Sequence, residues 1–177
     1  MLTYAITDPS TLNFNTLEKD LKRFRSKASM IVYRDKKTLT YEQNAKQFLK
    51  YAHGFDRVLL HGDYALAKRL GADGVHLKST QNADIQKAKD LGLFVVISTH
   101  TLKEAKEAEK LGANMLTYSP IFYTPNKGKA VGTDALKAVV DSVDVPVVAL
   151  GGIVSKTQID ACESVGAKGF ASIRYFY

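Results

Sequence analysis

Three of the four histidines in this chain, His61, His76 and His100, each close a short apolar run. Imidazole is the side chain whose ordinary pKa lies nearest neutrality, so histidines at matching places in separate elements point to general acid–base work. Three imidazoles could also hold a metal ion, but carboxylates usually complete such sites, and no Asp or Glu closes these three runs. Taken alone, His76 in Gly74-Val75-His76-Leu77 reads as a core histidine satisfied by a backbone carbonyl. The other run ends are polar as well: Asp8, Arg34 with Lys36, Ser98, Ser119, and Ser172 with Arg174. Val145–Leu150 runs into Gly151-Gly152 and then toward a helix capped at Ser155. Glycines let an anion approach the main chain, whose N–H groups can hold a phosphate, although a tight turn would need the same residues. The one long loop, from Ser119 to Thr133, is rich in Pro and Gly and carries Lys127 and Lys129.

The elements that must position these residues follow from a repeated phrase. Leu70-Gly71-Ala72-Asp73, Leu91-Gly92, Leu111-Gly112-Ala113-Asn114 and Val165-Gly166-Ala167-Lys168 each end a helical pattern and precede an apolar run. Each glycine suits the left-handed residue that stops a helix, and the run after it suits a strand. Strands are predicted near 2–7, 28–34, 57–61, 73–77, 93–98, 114–119, 145–150 and 169–173, with helices near 15–26, 40–53, 63–70, 82–91, 101–111, 133–142 and 155–165. Capping boxes are expected at Asn15/Glu18, Thr40/Gln43, Thr101/Glu104 and Ser155/Gln158. Strict alternation with near-continuous apolar strands predicts a parallel sheet covered by helices, and eight strands predict closure into a compact (β/α)8 barrel. An open doubly wound sheet would alternate in the same way. The last strand is followed only by Arg174-Tyr-Phe-Tyr177, so the eighth helix is expected to be missing or truncated. The groove left between the first and seventh helices would need a cover, either a second copy of the chain or Tyr175-Phe176-Tyr177. In such barrels the strand C-termini form the active site, which gathers the residues above on one rim.

Composition bounds the rest. At 177 residues with 45% apolar content the chain has room for one domain with a real core, and residues 1–177 are read as a single barrel. One cysteine, Cys162, excludes an internal disulfide framework and fits a reducing cytoplasm. The start of the sequence lacks a signal-peptide pattern and no apolar run reaches the roughly 18 residues of a membrane span, so no membrane partner is expected. A net charge of +7 favours an anionic partner. The basic residues are spread along helices expected to face water, which reads as a solvated, merely basic surface and argues against nucleic acid.

These segments together resemble a known family. Ala72-Asp-Gly-Val-His-Leu77, Ser98-Thr-His100, Ser119-Pro-Ile-Phe-Tyr-Thr-Pro-Asn-Lys127 and Ala149-Leu-Gly-Gly-Ile153 are similar, in order and spacing, to the thiamin phosphate synthase and TenI family, from Tyr4-Ala-Ile-Thr-Asp8 to Ile173. The resemblance implies a compact barrel. Its synthase branch joins a hydroxymethylpyrimidine diphosphate to a thiazole phosphate with Mg²⁺ and releases pyrophosphate; its TenI branch includes thiazole tautomerases. By position it implies that Arg34 and Lys36 meet a diphosphate, that Ser98 lies on the pyrimidine side, that Thr124 and Lys127 belong to the substrate loop, and that Gly151, Gly152 and the backbone at Ser172 hold the thiazole phosphate.

The departures are chemical. Val32 replaces the family's usual glutamine, and Tyr123 stands where the family's Pro-Thr-x-Thr-Lys loop begins with proline. His61-Gly62 stands where the synthases carry Asn-Asp, and Lys78-Ser79-Thr80-Gln81 where they carry Gly-Gln-x-Asp, so both magnesium carboxylates are lost. Asp63 could substitute only if its loop slipped by a residue. Pro120 occupies the position of the TenI-branch histidine. Three functions follow: a TenI-like isomerase acting on a phosphorylated thiazole, a thiamin phosphate synthase with a rebuilt metal site, or a binding module for thiazole phosphate or thiamin phosphate. The lost carboxylates favour the isomerase, with no cofactor required and Mg²⁺ needed only if the synthase reading holds. Catalytic roles are expected for His61, His100 and Lys127, substrate contacts for Arg34, Lys36, His76, Ser98 and Thr124, phosphate contacts for Gly151, Gly152 and Ser172, and no metal ligands.

Overall fold

The computed structural model describes residues 1–177. Eight parallel strands close into a barrel in sequence order: β1 (Leu2–Ile6), β2 (Met30–Tyr33), β3 (Arg57–His61), β4 (Gly74–Leu77), β5 (Phe94–Thr99), β6 (Met115–Tyr118), β7 (Val147–Leu150) and β8 (Gly169–Ser172). Closure is direct, with Leu2 opposite Gly169 and Ala5 opposite Ser172. Seven helices cover it: α1 (Leu17–Arg25), α2 (Tyr41–Tyr51), α3 (Tyr64–Leu70), α4 (Asp84–Asp90), α5 (Leu102–Lys110), α6 (Gly132–Val140) and α7 (Lys156–Ser164).

The two-residue period of a strand divides each apolar run between two cores. On β5, Val95 and Ile97 belong to the layer beneath the helices, with Ile85, Ala88 and Ala105. Val96 belongs to the barrel interior, with Tyr4, Ile6, Val32 and Leu59. Both faces are therefore apolar, and the strands read as continuous hydrophobic runs. The same parity carries Ser98 to the interior side near the strand's C-terminus, two residues beyond Val96. The recurring glycine does what its spacing implied: Gly71 has φ +77° and its N–H returns to the Ala67 and Lys68 carbonyls, ending α3.

Helix starts differ from expectation in part. Only Ser155/Gln158 forms the full reciprocal box. Thr101 accepts from the Glu104 N–H, but the Glu104 carboxylate accepts from the N–H of His100. Thr40 makes no cap because its backbone, at φ −95° and ψ 33°, is not extended. Helix α1 begins at Leu17 behind Thr16, a position later than an Asn15 cap requires, and Asn15 instead donates its N–H to the Asn13 side chain.

After β8, residues 173–177 form a bend and a turn instead of a helix. Phe176 is fully buried and stacks on Phe170 of β8 at 5.6 Å, with Tyr175 edge-on to both rings. The Tyr177 ring reaches the Arg23 guanidinium of α1 at 5.1 Å. The chain's own aromatic residues thus cover the open stave. No helix is long and apolar enough to cross a membrane.

Candidate active site

Every residue expected to have a catalytic, substrate or phosphate role lines one cavity of about 670 Å³ at the strand C-termini, whereas Lys129 does not. Ser98 comes from β5, His61 and His76 from β3 and β4, and Arg34, Lys36, His100, Thr124, Lys127, Gly151 and Gly152 from the loops above. His53, at the end of α2, lies elsewhere. The clustering follows from register: parallel strands of similar length end together, so residues that close them share a rim.

The three histidines differ in environment. His76 is 3% exposed, and its partners are side chains rather than the expected carbonyl: the Tyr4 hydroxyl at 2.9 Å from Nδ1, with Ser98 Oγ at 3.0 Å and Thr117 Oγ1 at 3.4 Å from Nε2. Burial and then the Arg34 charge push its pKa down to about 3. His61, with its ring 5.9 Å from that of His76, is held down to about 3 by burial, by His76 and by Arg34, Lys36 and Lys78. Its backbone N–H is fixed to the Tyr41 hydroxyl. His100 lies at the open rim, its Nδ1 2.9 Å from the Ser119 carbonyl. A carbonyl only accepts, so Nδ1 carries a proton, and in the neutral ring the lone pair is on Nε2.

The glycine pair has a structural duty first. A Cβ on Gly151 would stand 2.7 Å from Pro120 Cα, and one on Gly152 would stand 2.5 Å from the Tyr123 carbonyl oxygen, with φ at +100° and +71°. Both residues let the β7 turn pack against the long loop, so a larger side chain at 152 would disturb the fold. The turn also has spare donors. The N–H groups of Gly151, Gly152, Ile153, Ile173 and Arg174 find no acceptor in the protein, and all five residues line the cavity. Those of Val154, Ser155 and Gln158 are consumed by the α7 capping box. The anion-binding capacity thus belongs to the β7 and β8 turns more than to the helix end. Ser172 supports it indirectly: its hydroxyl donates to the Ile153 carbonyl and accepts from the Tyr175 N–H. Thr124 spends its hydroxyl on the Phe122 carbonyl, which shapes the loop.

Across the mouth stand four cations, Arg34, Lys36, Lys78 and Lys127, none in an ion pair. Arg34 first, then burial, Lys127 and Lys78, push Lys36 below its usual pKa. A magnesium ion of the kind the synthase resemblance implies does not fit here. Gln81 donates its amide N–H to the Gly62 carbonyl at 2.8 Å and accepts from the Lys78 N–H at 3.0 Å, which ties together the two loops where carboxylates would stand. A Cβ added at Gly62 would lie in ordinary contact with Lys78 Cε at 3.6 Å, so a cationic side chain borders the place where a carboxylate would stand. Asp63 is committed to capping α3, accepting from the Leu66 N–H at 2.8 Å. No group of three His, Cys, Asp or Glu side chains is arranged to hold a metal ion.

Tyr4 and Thr117 were not flagged by position at a strand end. Only inward parity on β1 and β6 marks them, and parity does not tell a packed tyrosine from one whose hydroxyl reaches an imidazole.

Comparison with known proteins places this site in context. The family model described as "Thiamine monophosphate synthase" matches residues 3–176. A protein of Aquifex aeolicus (strain VF5) named "Putative thiamine-phosphate synthase 2" is 35% identical over 179 residues, spanning 98% of this chain and 96% of that one. The "Thiamine-phosphate synthase" of Caldivirga maquilingensis is 32% identical, spanning 96% and 85%. Among solved structures, "Thiamine phosphate pyrophosphorylase from Pyrococcus furiosus" superposes with a TM-score of 0.81 at 29% identity, over 97% of this chain and 85% of that one.

Proposed function

Because this chain belongs to the thiamine monophosphate synthase family, we propose that its barrel mouth binds a phosphorylated thiazole and isomerises it by proton transfer, in the manner of the TenI branch. The observation that carries this reading is His100, a base with its tautomer fixed by the Ser119 carbonyl, in the same cavity as a turn with unpaired N–H donors. Backbone donors at 151–153 and 173–174 bind the phosphate. His100 Nε2 takes a proton from one position of the ring system and returns it to another, so no co-reactant is consumed. Lys127 and the other rim cations stabilise the anionic intermediate of that transfer. No divalent metal takes part, in keeping with the Gln81–Gly62 tie and the cationic Lys78.

The test is incubation of a thiazole carboxylate phosphate in D₂O with chelator, followed by NMR. Deuterium should enter the ring system with the wild type and fall by a hundredfold or more with His100→Asn, the usual worth of one acid–base group. A second reading, the coupling of a pyrimidine diphosphate with a thiazole phosphate, is favoured by the four unpaired cations, which suit a diphosphate. Coupling at an ordinary enzymatic rate, without deuterium uptake, would replace the isomerase reading by this one. Collapse of that rate on chelation would further show that a carboxylate had recovered the metal.

A further inference from the structure

Below the mouth lies a polar chain that the proton transfer at His100 does not use. Tyr4 is fully buried, and its hydroxyl has a single partner, Nδ1 of His76 at 2.9 Å. On the other side of the ring, Ser98 Oγ lies 3.0 Å and Thr117 Oγ1 3.4 Å from Nε2. Ser98 faces the cavity, whereas Thr117 is fully buried.

The direction of the protons follows from which buried donors can be satisfied. If Nδ1 held the imidazole proton, the Tyr4 hydroxyl would accept it and its own hydrogen would have no acceptor. If Tyr4 donates, Nδ1 is bare and Nε2–H donates to Ser98, with Thr117 as a weaker second acceptor. The second arrangement leaves only the Thr117 hydrogen short. A phenol is a stronger donor than an aliphatic alcohol, and an unmet buried donor costs about 1–3 kcal/mol, so the arrangement that uses Tyr4 as donor wins. The doubly protonated ring does not compete, since burial and Arg34 hold His76 neutral.

We propose that Tyr4 holds His76 as its Nε2–H tautomer and so turns the Ser98 hydroxyl into a donor aimed at the ligand. Two consequences follow. The ligand atom facing Ser98 is a hydrogen-bond acceptor, such as a ring nitrogen or a carboxylate oxygen, which makes Ser98 a specificity-determining residue and Tyr4 a positioning residue. The Ser98–His76 pair, though spaced like a nucleophile and its base, is not one, because the nitrogen that would take the serine proton already carries its own. The ligand half rests on the proposed phosphorylated heterocycle; the tautomer half does not.

The experiment therefore has two arms. In ¹⁵N-labelled, ligand-free wild-type protein, long-range ¹H–¹⁵N correlation should give His76 as a single Nε2–H tautomer from pH 5 to 8. Tyr4→Phe should move its Nδ1 resonance toward that of an unbonded ring nitrogen, with the methyl spectrum of the core retained. An Nδ1–H tautomer, an averaged one, or an unmoved Nδ1 signal in the variant would overturn the proposal. In the second arm, calorimetry compares a thiazole phosphate with its thiophene isostere and an aminopyrimidine with its carbocyclic isostere. One pair should differ about tenfold in affinity for the wild type and not for Ser98→Ala, the worth of one hydrogen bond. Equal affinities within both pairs would overturn the donor assignment. Absence of all binding would sink the functional reading and the ligand half with it, while the tautomer would still stand or fall on the spectrum.

Discussion

Mild acid should destabilise this protein through His76, and the size of the effect can be worked out. The imidazole is buried beneath the mouth and its pKa is pushed from 6.5 to about 3, first by burial and then by Arg34. In the unfolded chain it regains its ordinary value and takes up a proton near pH 6.5. Between those two values the unfolded state binds a proton that the folded state refuses, so stability is constant above about 6.5 and declines as pH falls toward 3. At pH 5, one and a half units below the unfolded value, the loss at 1.36 kcal/mol per unit is about 2 kcal/mol. His61 shifts in the same direction and adds a smaller share, being nearer solvent. Urea unfolding at pH 7 and pH 5, for wild type and His76→Gln, isolates the term. The variant has a different stability at pH 7, but its loss on acidification should be smaller than that of the wild type by about 2 kcal/mol. Parallel losses in the two proteins would mean that His76 is protonated in the folded state, and the reasoning from burial would be wrong.

Gly152→Ala places a Cβ 2.5 Å from the Tyr123 carbonyl oxygen at φ +71°, so it should cost about 2–4 kcal/mol in a thermal or urea melt and also weaken binding of inorganic phosphate; an unchanged melt would contradict the close approach of the two loops. Phe176→Ala removes the ring that covers Phe170, and chemical denaturation should show a loss of about 3–5 kcal/mol if that ring belongs to the core. Asp63→Ala should lower stability by about 1 kcal/mol, the usual worth of an N-cap, and leave the response of any activity to Mg²⁺ or chelator unaltered; a change in that response would identify Asp63 as a metal ligand.

The sequence by itself determined the alternation of strands and helices, the barrel, and the rim on which the chemistry sits. Those depend on local signals repeated many times, such as Gly71 ending a helix and Val95-Val96-Ile97 alternating between two cores, and parallel closure then brings strand ends together. The family resemblance, not spacing or composition, implied that Gly62 and Gln81 stand where the synthases carry carboxylates. What the sequence left undecided depended on distances between residues far apart in the chain. Tyr4 and His76 are 72 positions apart, and only barrel closure puts the phenol on Nδ1. Spacing put three histidines on one rim, but only the fold shows that burial holds His61 and His76 well below the usual imidazole pKa, while His100 is exposed with its Nδ1 against the Ser119 carbonyl. The Thr40 capping box failed for the same kind of reason: Gln43 stands three places later, but the Thr40 backbone is not extended as a capping residue's is. Residue type and spacing state which hydrogen bonds and charges are available; the packed chain decides which of them meet.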